Sequence, residues 1–195
     1  MYPLHRNLLC ARCPYFKRCF DGPFKETEDK KVSLKDESPD AFDEVLRWIY
    51  SGMVPKPKDD KDFMPLINAY ILADRLCIEE LKNSIVTELY HFSSEYITSP
   101  SGIMTLAEKG LADCRLRSFL LWQLSHDIVE LGCQYVLEMV PKLREYIAAG
   151  GDEIVHLFEI TVDRKKGDLE VLQLNGKDKC RWHEHLMTPV CDGQN

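Results

Sequence analysis

Apolar residues recur at helical spacing along most of the chain, and polar, Gly- or Pro-containing breaks divide them into segments. Leu4, Leu8 and Ala11, with Leu9 flanking them, predict a short amphipathic helix over residues 4–12. Pro14 suits the first turn of a second helix, with Cys13 near its cap. Phe16 and Phe20 stand i, i+4 on it, and Gly22-Pro23 ends it. The segment KKVSL, Lys30 to Leu34, alternates with period 2 instead and predicts a short strand. In SPDAFDEVLRWIYSG, Ser38 is the cap and Pro39 the first helical position. Phe42, Val45, Leu46 and Ile49 form the stripe, and Gly52 is the stop. A polar loop, VPKPKDDKD, then leads into two helices that break near Leu76-Cys77. The stripes predict a core that includes Phe42, Leu46, Trp48, Ile49, Leu66, Tyr70, Ile71 and Leu81.

The texture changes after residue 90. SPSGIMTLAEKG, DCRLRSFLLWQLSHDIVELG, CQYVLEMVPKLREYIAAGG and DEIVHLFEITVDRKKG read as four helical segments divided by glycines. Pro141 kinks or splits the third. In the fourth, Ile154, Leu157, Phe158 and Thr161 share one helical face, which favours helix over strand. No internal repeat is evident. The division is a core over residues 1–90, a helical extension over 91–167 and a tail over 168–195.

Composition narrows the possible roles. A formal charge of −7 argues against nonspecific binding to nucleic acid or to a membrane surface, both of which need a basic face. Hydrophobic residues at 45% with charged residues at 29% allow a buried core beneath a hydrated surface. No apolar run approaches the roughly 20 residues of a membrane-spanning helix, and the start of the chain shows no secretory pattern. Cytoplasm or nucleus is the expected location, with the eight cysteines mostly as thiols.

Three of those cysteines crowd the stretch LHRNLLCARCPYFKRCF. Cys10 and Cys13 form a C-x-x-C pair, but Cys10 falls at the end of one predicted helix and Cys13 at the start of the next. A redox pair normally opens a single helix. Packing as small apolar side chains is the favoured use of Cys10, Cys13 and Cys19. Ser125-His126-Asp127 contains the three triad residue types, yet adjacent helical residues point in different directions, and a triad is a spatial arrangement. His91 and His156 read as single surface or core histidines, and RKKGD as a solvated helix end. No phosphate-binding glycine loop and no G-x-S-x-G elbow is present. The expectation is a protein that is not an enzyme.

The tail carries a different signal. Cys180, His183, His185 and Cys191 follow one another as C-x2-H-x-H-x5-C, and two thiolates with two imidazoles are the ligand set of a structural zinc site. A flexible tail and a Cys180–Cys191 disulfide are the alternatives, the latter disfavoured in a reducing compartment. The surroundings look polar, with no evident core for these residues to fill.

Four consecutive blocks, HRNLLCARCPYFKRCF, GPFKETEDKKVSL, SPDAFDEVLRWIYSG and YILADRLCIEELKN, resemble the BTB/POZ domain, in a style closest to the BTB proteins of filamentous fungi. The resemblance spans about residues 4–90. It implies an α/β, helix-rich fold: a small sheet flanked by helices, followed here by a helical extension. It also implies a protein-interaction module, with substrate adaptors that dock on the cullin of a ubiquitin ligase among the family's members, and self-associating scaffolds in transcriptional regulation as the alternative. In such adaptors a hydrophobic-x-Glu step follows the helix of the PYF signature, and Phe24-Lys25-Glu26 matches it. Two departures stand out. The hairpin that the family usually places ahead of the step at Leu4-His5 has no counterpart, so the implied sheet is short of strands and homodimerisation is expected to be weak or absent. The usual serine cap before PYF is replaced by Cys13, a poorer cap.

Overall fold

The computed structural model describes residues 2–34, 37–93, 95–166 and 178–191. The chain divides into two compact units. One comprises residues 1–88 and 184–189, the other residues 89–183 and 190–195.

Among the described residues, the first unit holds six helices: α1 (Arg6–Arg12), α2 (Pro14–Asp21), α3 (Lys25–Asp29), α4 (Pro39–Ser51), α5 (Asp60–Arg75) and most of α6 (Glu79–Phe92). Their ends follow the local chemistry of the sequence. Pro14 and Pro39 occupy the first positions of α2 and α4, where a missing N–H costs no helical hydrogen bond. Gly52 closes α4 at φ +73°, and its N–H returns to the Trp48 carbonyl. The Asp59 carboxylate accepts from the Lys61 N–H and so starts α5, which runs through Pro65. Cys77, at φ +58°, makes the turn into α6 at the predicted break.

Core positions follow the stripes. Phe42, Trp48, Ile49, Leu66, Tyr70, Ile71 and Leu81 are buried. Leu46 is half-buried, because α4 turns Val45 and Ile49 inward and carries Leu46 to the edge of that face. Phe16 stacks on Phe20 and meets Phe42 edge-on, joining α2 to α4.

The expected small sheet is absent: among the described residues no strand is present. The predicted strand at Lys30–Leu34 explains why its pattern misled. Burial does alternate there, with Val32 and Leu34 half-buried and Lys31 and Ser33 exposed. Val32 and Leu34 line a cleft of about 600 Å³ together with Leu9, Phe16, Phe20 and Phe42. One-sided burial produces a period of two, but a strand also needs a neighbouring backbone to share its ladder. No described segment supplies one, so the core is helical and the α/β assignment is corrected.

The second unit holds the end of α6, then α7 (Ser101–Glu108), α8 (Arg115–Leu131), α9 (Cys133–Met139), α10 (Lys142–Ala149), α11 (Asp152–Lys166) and a 3₁₀ helix, Asp178–Trp182. Pro141 splits the predicted third segment into α9 and α10. α8 is the central helix, packed on by α7, α9, α11 and the 3₁₀ helix. On α11 the buried positions are Leu157 and Arg164, while Phe158 is exposed, so the predicted face is rotated. Arg164 lies over the Trp122 ring at 4.4 Å, and its guanidinium reaches Ser125 Oγ and the Trp122 carbonyl. The RKKGD run is therefore no solvated end at Arg164; its last two residues lie outside the described residues.

Candidate functional site

Phe24 is the cap residue of α3 and is 53% exposed, an unusual position for a phenylalanine. Its ring lies over Gly22: a Cβ built there would meet the ring at 2.7 Å and the Arg18 carbonyl at 2.6 Å. Pro14, Lys17, Arg18 and Asp21 complete the shallow surface around it. Glu26 follows in the first turn of α3, half-buried, where a carboxylate is favoured by the helix N-terminus. Thr27 ties the turn down, its hydroxyl donating to the Gly22 carbonyl at 2.6 Å and the Cys19 carbonyl at 3.0 Å. The structure thus presents an apolar ring and a carboxylate two residues apart on a braced turn.

The cysteines of the opening stretch face inward or sideways. Cys13 is 1% exposed, with its Sγ 3.5 Å from the Leu76 carbonyl. Burial pushes its thiol up to about 11, against the pull of the Phe16 and Tyr15 amides, which is the reverse of an activated nucleophile. Cys10 and Cys19 are half-buried.

In the tail, Cys180 and His183 are buried and Cys191 is half-buried. The 3₁₀ turn, with the His183 N–H donating to the Cys180 carbonyl at 3.2 Å, carries both residues on one short bend. His183 Nδ1 lies 3.2 Å from Cys191 Sγ, and the Cys180 and Cys191 sulfurs are within 4.8 Å of each other. Trp182 is buried, with ring centroids 5.8 Å from both Phe119 and Trp122. The expectation that these residues have no core to fill is corrected: the sequence offered a polar neighbourhood, but the indole gives the turn an apolar anchor. His185 belongs to the first unit, with Nδ1 3.4 Å from Thr188 Oγ1.

The first unit holds its share of the tail by a polar clasp that the sequence reading missed. The Glu79 carboxylate accepts from the N–H groups of Leu186, Met187 and Thr188 and from the Thr188 hydroxyl, at 2.6–3.1 Å. Burial raises the Glu79 carboxyl, but the bonds from Thr188, Met187 and Leu186 outweigh it and hold the group below its ordinary range. Asn83 and Glu184 exchange two bonds, Asn83 Nδ2 to the Glu184 carbonyl at 2.7 Å and the Glu184 N–H to Asn83 Oδ1 at 2.8 Å. Lys82 donates to Asp74 at 2.7 Å and to Glu184 at 2.5 Å. Glu79, Lys82 and Asn83 share a helical face at i, i+3, i+4, the only advance signal. Nothing in that spacing names a partner segment some 100 positions away.

The BTB/POZ family profile matches residues 1–93. Residues 1–93 are a BTB/POZ domain. The chain is 38% identical over 50 residues to Kelch-like protein 38 of Homo sapiens, covering 26% of this chain and 9% of that protein. It is 27% identical over 89 residues to Kelch repeat and BTB domain-containing protein 6 of Homo sapiens, covering 46% of this chain and 12% of that protein. The chain therefore spans about a tenth of the length of these relatives. A BTB/POZ domain is a protein-interaction module, and Phe24 and Glu26 both fall inside it.

Among the described residues, no helix is long and apolar enough to cross a membrane. The Ser125-His126-Asp127 triplet is spent on structure. Asp127 accepts from the Thr98 N–H at 2.8 Å and from Gln123 at 3.0 Å, while Ser125 faces Arg164. No relay joins the three.

Proposed function

We propose that this chain is a substrate adaptor whose BTB/POZ domain docks on the cullin of a cullin–RING ubiquitin ligase, with Phe24 as the apolar anchor and Glu26 as the carboxylate beside it. The observation that carries the reading is the exposure of Phe24 on a turn braced by Thr27. An aromatic ring held in water at a fixed place offers a partner buried area at little ordering cost. The resemblance of Phe24-Lys25-Glu26 to the adaptor step and the similarity to Kelch-like BTB proteins support the same choice. In this reading the domain contacts the ligase and the rest of the chain engages what is to be modified.

The test is calorimetric titration of the full chain with a purified cullin N-terminal region. Phe24→Ala should weaken binding by about 2 kcal/mol or more, roughly 30-fold, as for a buried aromatic hot spot. Glu26→Ala should weaken it too, and circular dichroism should be unchanged in both. Equal affinity in wild type and both variants refutes the assignment. A folded wild-type chain that binds no cullin favours the scaffold alternative. Self-association is proposed to be weak. A tight dimer in sedimentation at low micromolar concentration overturns that part.

A further inference from the structure

We propose that the tail carries a peroxide-sensitive dithiol, in which the Cys191 sulfur attacks the peroxide, His183 takes the thiol proton and Cys180 closes a disulfide. All three residues belong to the second unit. Three observations converge on it. The first is the imidazole: His183 Nδ1 lies 3.2 Å from Cys191 Sγ. A base at that distance can accept the S–H proton as the sulfur attacks, the pairing that activates a thiol nucleophile. The second is sulfur to sulfur: Cys180 and Cys191 Sγ lie within 4.8 Å of each other. A disulfide needs about 2.0 Å, so about 2.8 Å at most has to be closed, roughly what rotation of one cysteine side chain between staggered positions supplies. The third is the difference in exposure. Cys191 is half-buried and within reach of solvent, whereas Cys180 is 7% exposed. A small oxidant therefore meets Cys191 first, and Cys180 is kept for the internal step. The turn that holds Cys180 is fixed from within the same unit. The His183 N–H donates to the Cys180 carbonyl, and the buried ring of Trp182 packs beside Phe119 and Trp122.

Hydrogen peroxide is the oxidant, and the steps balance with it. The Cys191 sulfur attacks one peroxide oxygen and the O–O bond breaks. The thiol proton passes by way of His183 to the departing hydroxide, which leaves as water. Cys191 is then a sulfenic acid. The Cys180 sulfur attacks the Cys191 sulfur, the S–S bond forms and the S–O bond breaks. The hydroxyl leaves with the Cys180 proton as a second water. Two thiols are oxidised and one peroxide is reduced to two waters. Exchange with an external dithiol restores both thiols, the state in which the structure holds them. In a compartment that keeps thiols reduced, a disulfide of this kind is transient and senses oxidant. Cys77 and Cys133 are more exposed than Cys191, so exposure alone would have them oxidised first. The imidazole beside Cys191 reverses that order.

The test uses the full chain, reduced and then freed of reductant and metal, titrated with hydrogen peroxide and mapped without reduction by mass spectrometry. A Cys180–Cys191 cross-link should form before Cys77 or Cys133 is oxidised, and dithiothreitol should reverse it. That order is read in the wild type and needs no variant. In Cys180→Ser, dimedone should trap a sulfenic acid at Cys191. In Cys191→Ser, Cys180 should stay a thiol at the same dose. His183→Ala should slow the cross-link about 10-fold or more, as for loss of a positioned base. Circular dichroism checks that each variant is folded. Oxidation of Cys77 and Cys133 ahead of any cross-link in the wild type overturns the proposal. So does a Cys180 disulfide to any other cysteine, a sulfenic acid on Cys180 in folded Cys191→Ser, or an unslowed cross-link in folded His183→Ala.

Discussion

Removing the Glu79 carboxylate should release the loop formed by residues 184–189. The group is 8% exposed and receives three backbone N–H groups and one hydroxyl. A hydrogen bond to a charged group contributes about 1.5–3 kcal/mol, but the four share one carboxylate and their sum is not additive. Detachment of the loop also limits the loss, because its freed amides then bond to water. About 2–4 kcal/mol is the resulting estimate for Glu79→Ala. Glu79→Gln keeps the shape but replaces one acceptor oxygen with a donor facing N–H groups, so it should lose a similar amount. The assay is amide hydrogen exchange resolved at Leu186, Met187 and Thr188. At 1.4 kcal/mol per decade, those amides should exchange about 30- to 700-fold faster in either variant. Acid should act in the same way. The folded carboxyl titrates below its ordinary value, so its contribution is complete above about pH 4.3 and is lost as pH falls through the lower folded value. Unchanged exchange at all three amides in Glu79→Ala would refute the clasp.

Thiol chemistry gives a second expectation: Cys77 and Cys133, both exposed, should react with iodoacetamide well before Cys13, checked by peptide mass mapping over time. Because folding raises the Cys13 thiol to about 11, its contribution is complete below about pH 8.5 and is lost as pH rises through the folded value; labelling of Cys13 alongside Cys77 at neutral pH would contradict its placement. On α4, Ile49→Ala should cost about 2–5 kcal/mol and Leu46→Ala less, since Ile49 is 1% exposed and Leu46 half-buried; a reversed order of denaturant midpoints would mean the helix face is misplaced.

The sequence by itself determined the helices, because their signals are local. Pro14 and Pro39 at first positions, Gly52 at a left-handed stop and the apolar stripe of α4 act within a few residues of where they are read. It also determined the interaction domain, since the blocks that carry it are contiguous, and Phe24 was marked by its place after α2. What the tertiary structure decided depends on segments far apart in the chain. KKVSL had the alternation of a strand, but only the absence of a described backbone beside it showed that the burial was against helices. Phe158 and Leu157 are adjacent and both apolar, and α8 selected Leu157, with Arg164 brought inward by the face of Trp122. The tail looked polar because polarity is counted residue by residue. Glu79, Lys82 and Asn83 meet Glu184 and Thr188 across roughly a hundred positions, so each group's partner satisfies it only after folding.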